Sequence, residues 1–173
     1  LIIDNYNKGV KVTYQVYTPE EIEQNSSLGC VQLFYYPAET PNAKTAIVIP
    51  GNALTITSEM GEGGSTAYEL HKLGYAVFVL RYRTFLDLGN NAPLQDLARA
   101  VQLVTSLDEE LSIQTQDYAL VGYSSGGQLA GVFANKERGY GHYGVARPGA
   151  LLLGYSVVNF SEVKIAYQAF MDT

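Results

Sequence analysis

Apolar residues recur at two different periods along this chain, and the change of period marks its elements. Residues 10–17 (V-K-V-T-Y-Q-V-Y) alternate, and residues 31–36 run β-branched and aromatic, which predicts two antiparallel strands joined by the polar segment 18–29. Four short apolar runs, 45–49, 75–80, 118–121 and 150–155, have the length and composition of buried strands. Helical spacing fills the intervals. Residues 66–73 predict a helix that Gly74 closes from the C′ position. Behind Pro93, near a helix start, Leu94, Leu97, Ala98, Val101 and Val104 make one face of a second. Residues 125–135 predict a third. Turns and loops fall at 40–44 with Pro41, at 50–53, at the glycine-containing stretch 59–65, at 81–91 and at 136–148.

From residue 45 onward strands thus alternate with helices, which argues for an α/β fold. The expected form is a mostly parallel central sheet with helices on both faces and an antiparallel N-terminal strand pair. There is no internal repeat, and 173 residues suit one domain with a substantial core.

Composition narrows the partners. The net charge is −6 with no lysine or arginine stripe, which argues against nucleic acid. No apolar run approaches membrane-spanning length. No basic stretch precedes an apolar one at the start, although the chain opens at Leu1 without a methionine. The single cysteine, Cys30, rules out a disulfide within these residues; its strand-like surroundings predict an inert core thiol. Asn25-Ser26-Ser27 and Asn159-Phe160-Ser161 fit the glycosylation pattern, which is common by chance.

The chemistry concentrates at Gly122-Tyr123-Ser124-Ser125-Gly126-Gly127. An apolar run enters this turn and small residues leave it, so a strand bends sharply into a helix with Ser124 at the corner. Gly122 and Gly126 permit the bend, because a side chain at either position would crowd the facing turn. The hydroxyl of Ser124 is then held at the carboxyl end of the sheet, facing the amide dipoles of the following helix. This is a nucleophile elbow.

These residues resemble the α/β-hydrolase superfamily, and within it the carboxylesterases of the hormone-sensitive-lipase-like and bacterial feruloyl/acetyl-esterase-like groups. Besides the elbow, Ile49-Pro50-Gly51-Asn52-Ala53 stands where those families carry an H-G-G-G or P-G-G-G loop. The stretch 77–83, ending Arg81-Tyr82-Arg83, with Pro93 to Leu97 after it, is similar to their "Y-R…P…D" segment. The resemblance implies a serine esterase for small acyl esters, such as acetyl or feruloyl esters of carbohydrate, needing no cofactor. Ser124 would be the nucleophile, and the backbone N–H groups of Ser125, Asn52 and Ala53 the oxyanion donors. Asn52 and Ala53 replace two glycines of the pattern. A peptidase or thioesterase on the same fold, or an inert degenerate hydrolase, are the other readings.

In the implied order the acid and the histidine follow the next two strands, beyond Thr173. The expectation is a single hydrolase domain whose last strands are missing, inactive or nearly so by itself because an unactivated serine is a weak nucleophile. The exposed sheet edge would favour self-association into a homo-oligomer. Of the two histidines, His71 reads as a helix boundary residue and His142 as part of a loop, and Asp172 as solvated. Asp96 is expected to be structural, at a helix start or paired with Arg81 or Arg83; Glu109-Glu110 is a solvated pair. The fourteen tyrosines are mostly packing or rim residues. Gly61-Glu62-Gly63-Gly64 lacks the Lys-Ser/Thr step of a phosphate loop, and no cluster has zinc-ligand spacing, so no metal is expected.

Overall fold

The computed structural model of the chain describes residues 1–51, 57–84 and 91–156. The chain begins with α1 (Ile2–Asn7), β1 (Thr13–Gln15), α2 (Pro19–Gln24) and β2 (Gln32–Tyr36). Next come β3 (Ala43–Ile49), a wide helical turn (Glu59–Gly63), α3 (Gly64–Lys72) and β4 (Ala76–Arg81). The last elements are α4 (Ala92–Ser106), α5 (Asp108–Leu111), β5 (Ile113–Tyr123), α6 (Ser124–Phe133) and β6 (Ala150–Gly154).

Six strands form one sheet in the order β1-β2-β4-β3-β5-β6. β4, β3, β5 and β6 are parallel, and the antiparallel β1–β2 pair joins them through an antiparallel β2–β4 contact. β3, β4 and the second half of β5 are apolar on both faces because both are covered. The run 150–155, expected to be a buried strand, instead forms the edge strand β6, where Leu151, Leu152 and Leu153 are exposed because no further strand or helix covers them among the described residues. Ile47, Ile49, Phe78, Leu80 and Leu120 face α4 and α6, together with Leu97, Val101, Leu129 and Phe133. Ala46, Val48, Val77, Val79 and Val121 face Ala67 and Leu70 of α3. The N-terminal strands are bound to the core by aromatic rings: Tyr35 stacks on Phe78 at 4.6 Å, and Tyr14 meets both edge-on.

Three other expectations change in detail. The first strand is only three residues long, and the polar segment after it carries α2. That helix starts on a capping box, in which the Thr18 hydroxyl accepts from the Glu21 N–H and the Glu21 carboxylate accepts from the Thr18 N–H. Cys30 is no core thiol: it ends a short 3₁₀ turn, is exposed, and donates from Sγ to the Ser27 carbonyl at 3.1 Å. Partial desolvation and then the Asp96 charge push its pKa up, away from thiolate reactivity. Finally, β5 begins five residues before the apolar run that marks it, because Ile113 and Thr115 alternate inward with exposed Gln114 and Gln116.

Candidate active site

Parallel pairing sets the site. Ile49 of β3 lies opposite Gly122 of β5, so the residues that leave these strands, Pro50-Gly51 and Tyr123-Ser124, emerge side by side at the carboxyl end of the sheet. Tyr123 is still extended (φ −120°, ψ 141°), Ser124 has φ +50°, and α6 starts there. A left-handed conformation costs a non-glycine residue roughly 1–2 kcal/mol. Surrounding packing holds it in place. A Cβ on Gly122 would stand 2.6 Å from the Gly126 carbonyl oxygen and 2.9 Å from Ala130 Cβ, and one on Gly126 would collide with the carbonyls of Ile49 and Pro50. Helix and strand therefore touch at a distance that only glycine tolerates. Gly126→Ala is expected to destabilise the protein by about 1–3 kcal/mol through backbone overpacking; urea unfolding indistinguishable from wild type would refute that packing argument.

Tyr123 offers no side-chain cap to α6, and the dipole of this ten-residue helix points its positive end at Ser124. Ser125 sits one residue into the helix, where its N–H belongs to that positive end. The other two expected oxyanion positions, Asn52 and Ala53, lie outside the described residues, as does Asp172.

The floor of the site is Gly51. A Cβ there would lie 2.9 Å from Ser124 Cβ and 3.1 Å from Glu62 Oε2. The Gly51 N–H donates to Glu62 Oε2 at 2.5 Å, its carbonyl accepts from the Ser58 N–H at 2.9 Å, and the Pro50 carbonyl accepts from the Tyr82 hydroxyl at 2.9 Å. The second Glu62 oxygen accepts from the hydroxyl of Tyr155, just past β6. That bond raises the Tyr155 phenol to about 12. Tyr123 completes the rim, its ring 5.6 Å from that of Tyr155 and its hydroxyl bonded to Thr66 at 2.9 Å. Nearby, Arg81 bonds Glu59 at 2.9 Å. Sequence reasoning missed that Glu62 bonds Gly51 and that Tyr155 bonds Glu62. An acid in a glycine-rich turn reads as solvated, and no local spacing reports a contact made across β3 and β6.

Behind β4 lies a buried polar cluster. Arg83 donates from Nε at 3.0 Å and from Nη2 at 2.7 Å to Asp96; its backbone N–H and the Tyr17 hydroxyl bond the same carboxylate at 2.9 and 2.7 Å. Of the two sequence alternatives for Asp96, Arg83 is the partner.

Neither histidine approaches Ser124. α3 and α6 both start at the carboxyl end of the sheet and run back beside the strands. His71, seven residues into α3, is carried about 10 Å away from that end, where it faces Glu39 at 3.9 Å. His142 is exposed beyond the far end of α6, edge-on to Tyr143; ten helical residues place it about 15 Å or more from the elbow. Among the described residues no group of acids, histidines and cysteine is arranged to hold a metal, and no helix is long and apolar enough to cross a membrane.

The packed tyrosines give the fold a pH limit. Burial is the main cause that raises the phenols of Tyr82, Tyr118 and Tyr17 and lifts Tyr35 to about 12. The folded chain keeps these protons while the unfolded chain releases them near pH 10. The resulting stability is whole below about pH 10 and is lost as pH rises toward about 12. Melting temperature should fall between pH 9 and pH 11; a flat profile would contradict it.

The BD-FAE family model matches residues 32–142, from β2 to the loop after α6. The chain is 28% identical over 153 residues to the acetylxylan esterase of Xylanibacter ruminicola, covering 87% of this chain and 30% of that protein. MGS-M1, an alpha/beta hydrolase enzyme from a Medee basin deep-sea metagenome library, is similar in structure with a TM-score of 0.65 at 26% identity, over 75% of this chain and 53% of that one. The acetyl ester-xyloside bifunctional hydrolase from Caldicellulosiruptor lactoaceticus has the same fold, with a TM-score of 0.71 at 23% identity, over 87% of this chain and 58% of that one. The chain therefore spans less than a third of that curated relative and little more than half of these two structures.

Proposed function

The chain belongs to the BD-FAE family, and from that premise we propose that it forms the nucleophile-bearing part of a serine carboxylic-ester hydrolase. The strained corner at Ser124, φ +50°, carries this reading: a residue is kept in that conformation only when the structure around it demands its position. Ser124 Oγ attacks the ester carbonyl carbon as a histidine takes its proton. The carbonyl oxygen becomes an oxyanion facing the N–H of Ser125 and those of Asn52 and Ala53. The tetrahedral intermediate then expels the alcohol, which takes the proton back from the histidine, and water hydrolyses the acyl-serine by the same steps. His71 and His142 lie at the other end of the sheet from Ser124, so neither is placed to take that proton.

For substrate we propose small acyl esters, acetyl esters of carbohydrate first, on the strength of the acetylxylan esterase relative. The test is a fluorophosphonate probe on the full gene product, with the adduct mapped by peptide mass spectrometry. Modification of Ser124 is the expected result; a stoichiometric adduct on any other residue would refute the assignment.

A further inference from the structure

The peptide group between Pro50 and Gly51 is held from both sides. Its carbonyl accepts from Tyr82 and its N–H donates to Glu62. We propose that Glu62 and Tyr82 are a pair of positioning residues that clamp this peptide against the Ser124 corner, a step that rests on the ester-hydrolase reading above.

The need for a clamp follows from the packing. Position 51 must be glycine, because any Cβ would press on Ser124 Cβ at 2.9 Å and on the Tyr123 carbonyl oxygen at 3.2 Å. Glycine, however, brings the widest backbone freedom of any residue, and it does so where the chain leaves β3 beside the nucleophile. A displacement of about 1 Å at such a place is enough to cost about 10²-fold in rate. Two hydrogen bonds to one peptide, one at each end, remove its freedom to rotate. Both holders are themselves fixed. The Tyr82 side chain is buried and its hydroxyl also meets the side chain of Ser125. Glu62 is held by its second oxygen on Tyr155 and stands on the turn that Ser58 caps. The clamp thus joins four elements around Ser124: the ends of β3, β4 and β6, and the turn before α3. Charge strengthens one side of it, since a hydrogen bond to a carboxylate is shorter and about twice as strong as a neutral one.

The experiment measures kcat and KM on p-nitrophenyl acetate, the rate of fluorophosphonate labelling, and the melting temperature, all on the full gene product. Glu62→Ala is expected to lower kcat and the labelling rate about 10–100-fold, with KM within about threefold, because the acceptor acts on geometry at the nucleophile. Glu62→Gln keeps an amide oxygen for the Gly51 N–H and should recover kcat to within about fivefold of wild type. Tyr82→Phe should lower kcat about tenfold. The double variant should lose less than the product of the two, since both act on one peptide. Wild-type kcat in Glu62→Ala, a loss confined to KM, or no rescue by Glu62→Gln would overturn the clamp. Should Glu62→Ala fail to fold, the near-isosteric Glu62→Gln and Tyr82→Phe decide between the same outcomes. A wild-type protein that neither labels nor turns over would instead overturn the hydrolase reading, and the clamp with it.

Discussion

Ser124→Ala is expected to lower kcat on p-nitrophenyl acetate by about 10⁵-fold and to abolish fluorophosphonate labelling, with the fold intact. Removing the nucleophile of a serine triad costs rate on that scale, because the remaining donors accelerate only the slow attack by water. Loss of activity alone would not separate a missing nucleophile from a collapsed corner, so stability has to be read beside it. Alanine suffers the same left-handed strain at φ +50° as serine, so its melting temperature should stay close to wild type. Ser124→Gly should be equally inactive yet about 1–2 kcal/mol more stable than the alanine variant, because glycine adopts this conformation without strain. A glycine variant no more stable than alanine would mean that the corner stores no strain, and residual turnover above a few per cent would remove Ser124 from the reaction.

The second large effect is structural. Asp96→Ala should destabilise the protein by about 3–5 kcal/mol, because it leaves the buried Arg83 guanidinium uncompensated. Asp96 is fully buried and Arg83 nearly so, with side-chain exposures of 0% and 6%. The Arg83 N–H and the Tyr17 hydroxyl would also lose their acceptor. At about 2–4 °C per kcal/mol for a chain of this size, the melting temperature should drop by about 10 °C. A loss below about 1 kcal/mol in urea unfolding would mean that water or a rearranged side chain replaces the carboxylate. The two variants also differ in kind. Ser124→Ala removes chemistry from a stable fold, whereas Asp96→Ala loosens the chain that runs on from Tyr82 and reaches activity only through it.

The bend at Ser124 was legible because its signals are local. Gly122, Ser124 and Gly126 specify a sharp strand-to-helix bend through contacts within a few residues of each other, and the structure carries a left-handed Ser124 there. The apolar runs likewise marked β3, β4 and β5, since a doubly covered strand has to be apolar throughout; the run at β6 marked a strand too, but one that lies exposed at the sheet edge. Other features were present in the sequence but outweighed. Thr18, Pro19 and Glu21 spell a helix start, yet the polar run around them reads as a connection. Cys30 borders a strand and is still exposed, because the chain makes a tight turn before β2 begins.

By itself, the sequence determined the alternation of strands and helices, the corner at Ser124 and the glycines that let α6 lie on β5. Each depends on the backbone conformations and side-chain sizes of neighbouring residues. Only the tertiary structure decided that Asp96 pairs with Arg83 and not with Arg81, that His71 and His142 sit at the far end of the sheet, and that Glu62 accepts from the Gly51 N–H beside Ser124. These are contacts between groups 11 or more residues apart or on different elements. Strand order and helix direction bring them about, and no spacing along the chain encodes either.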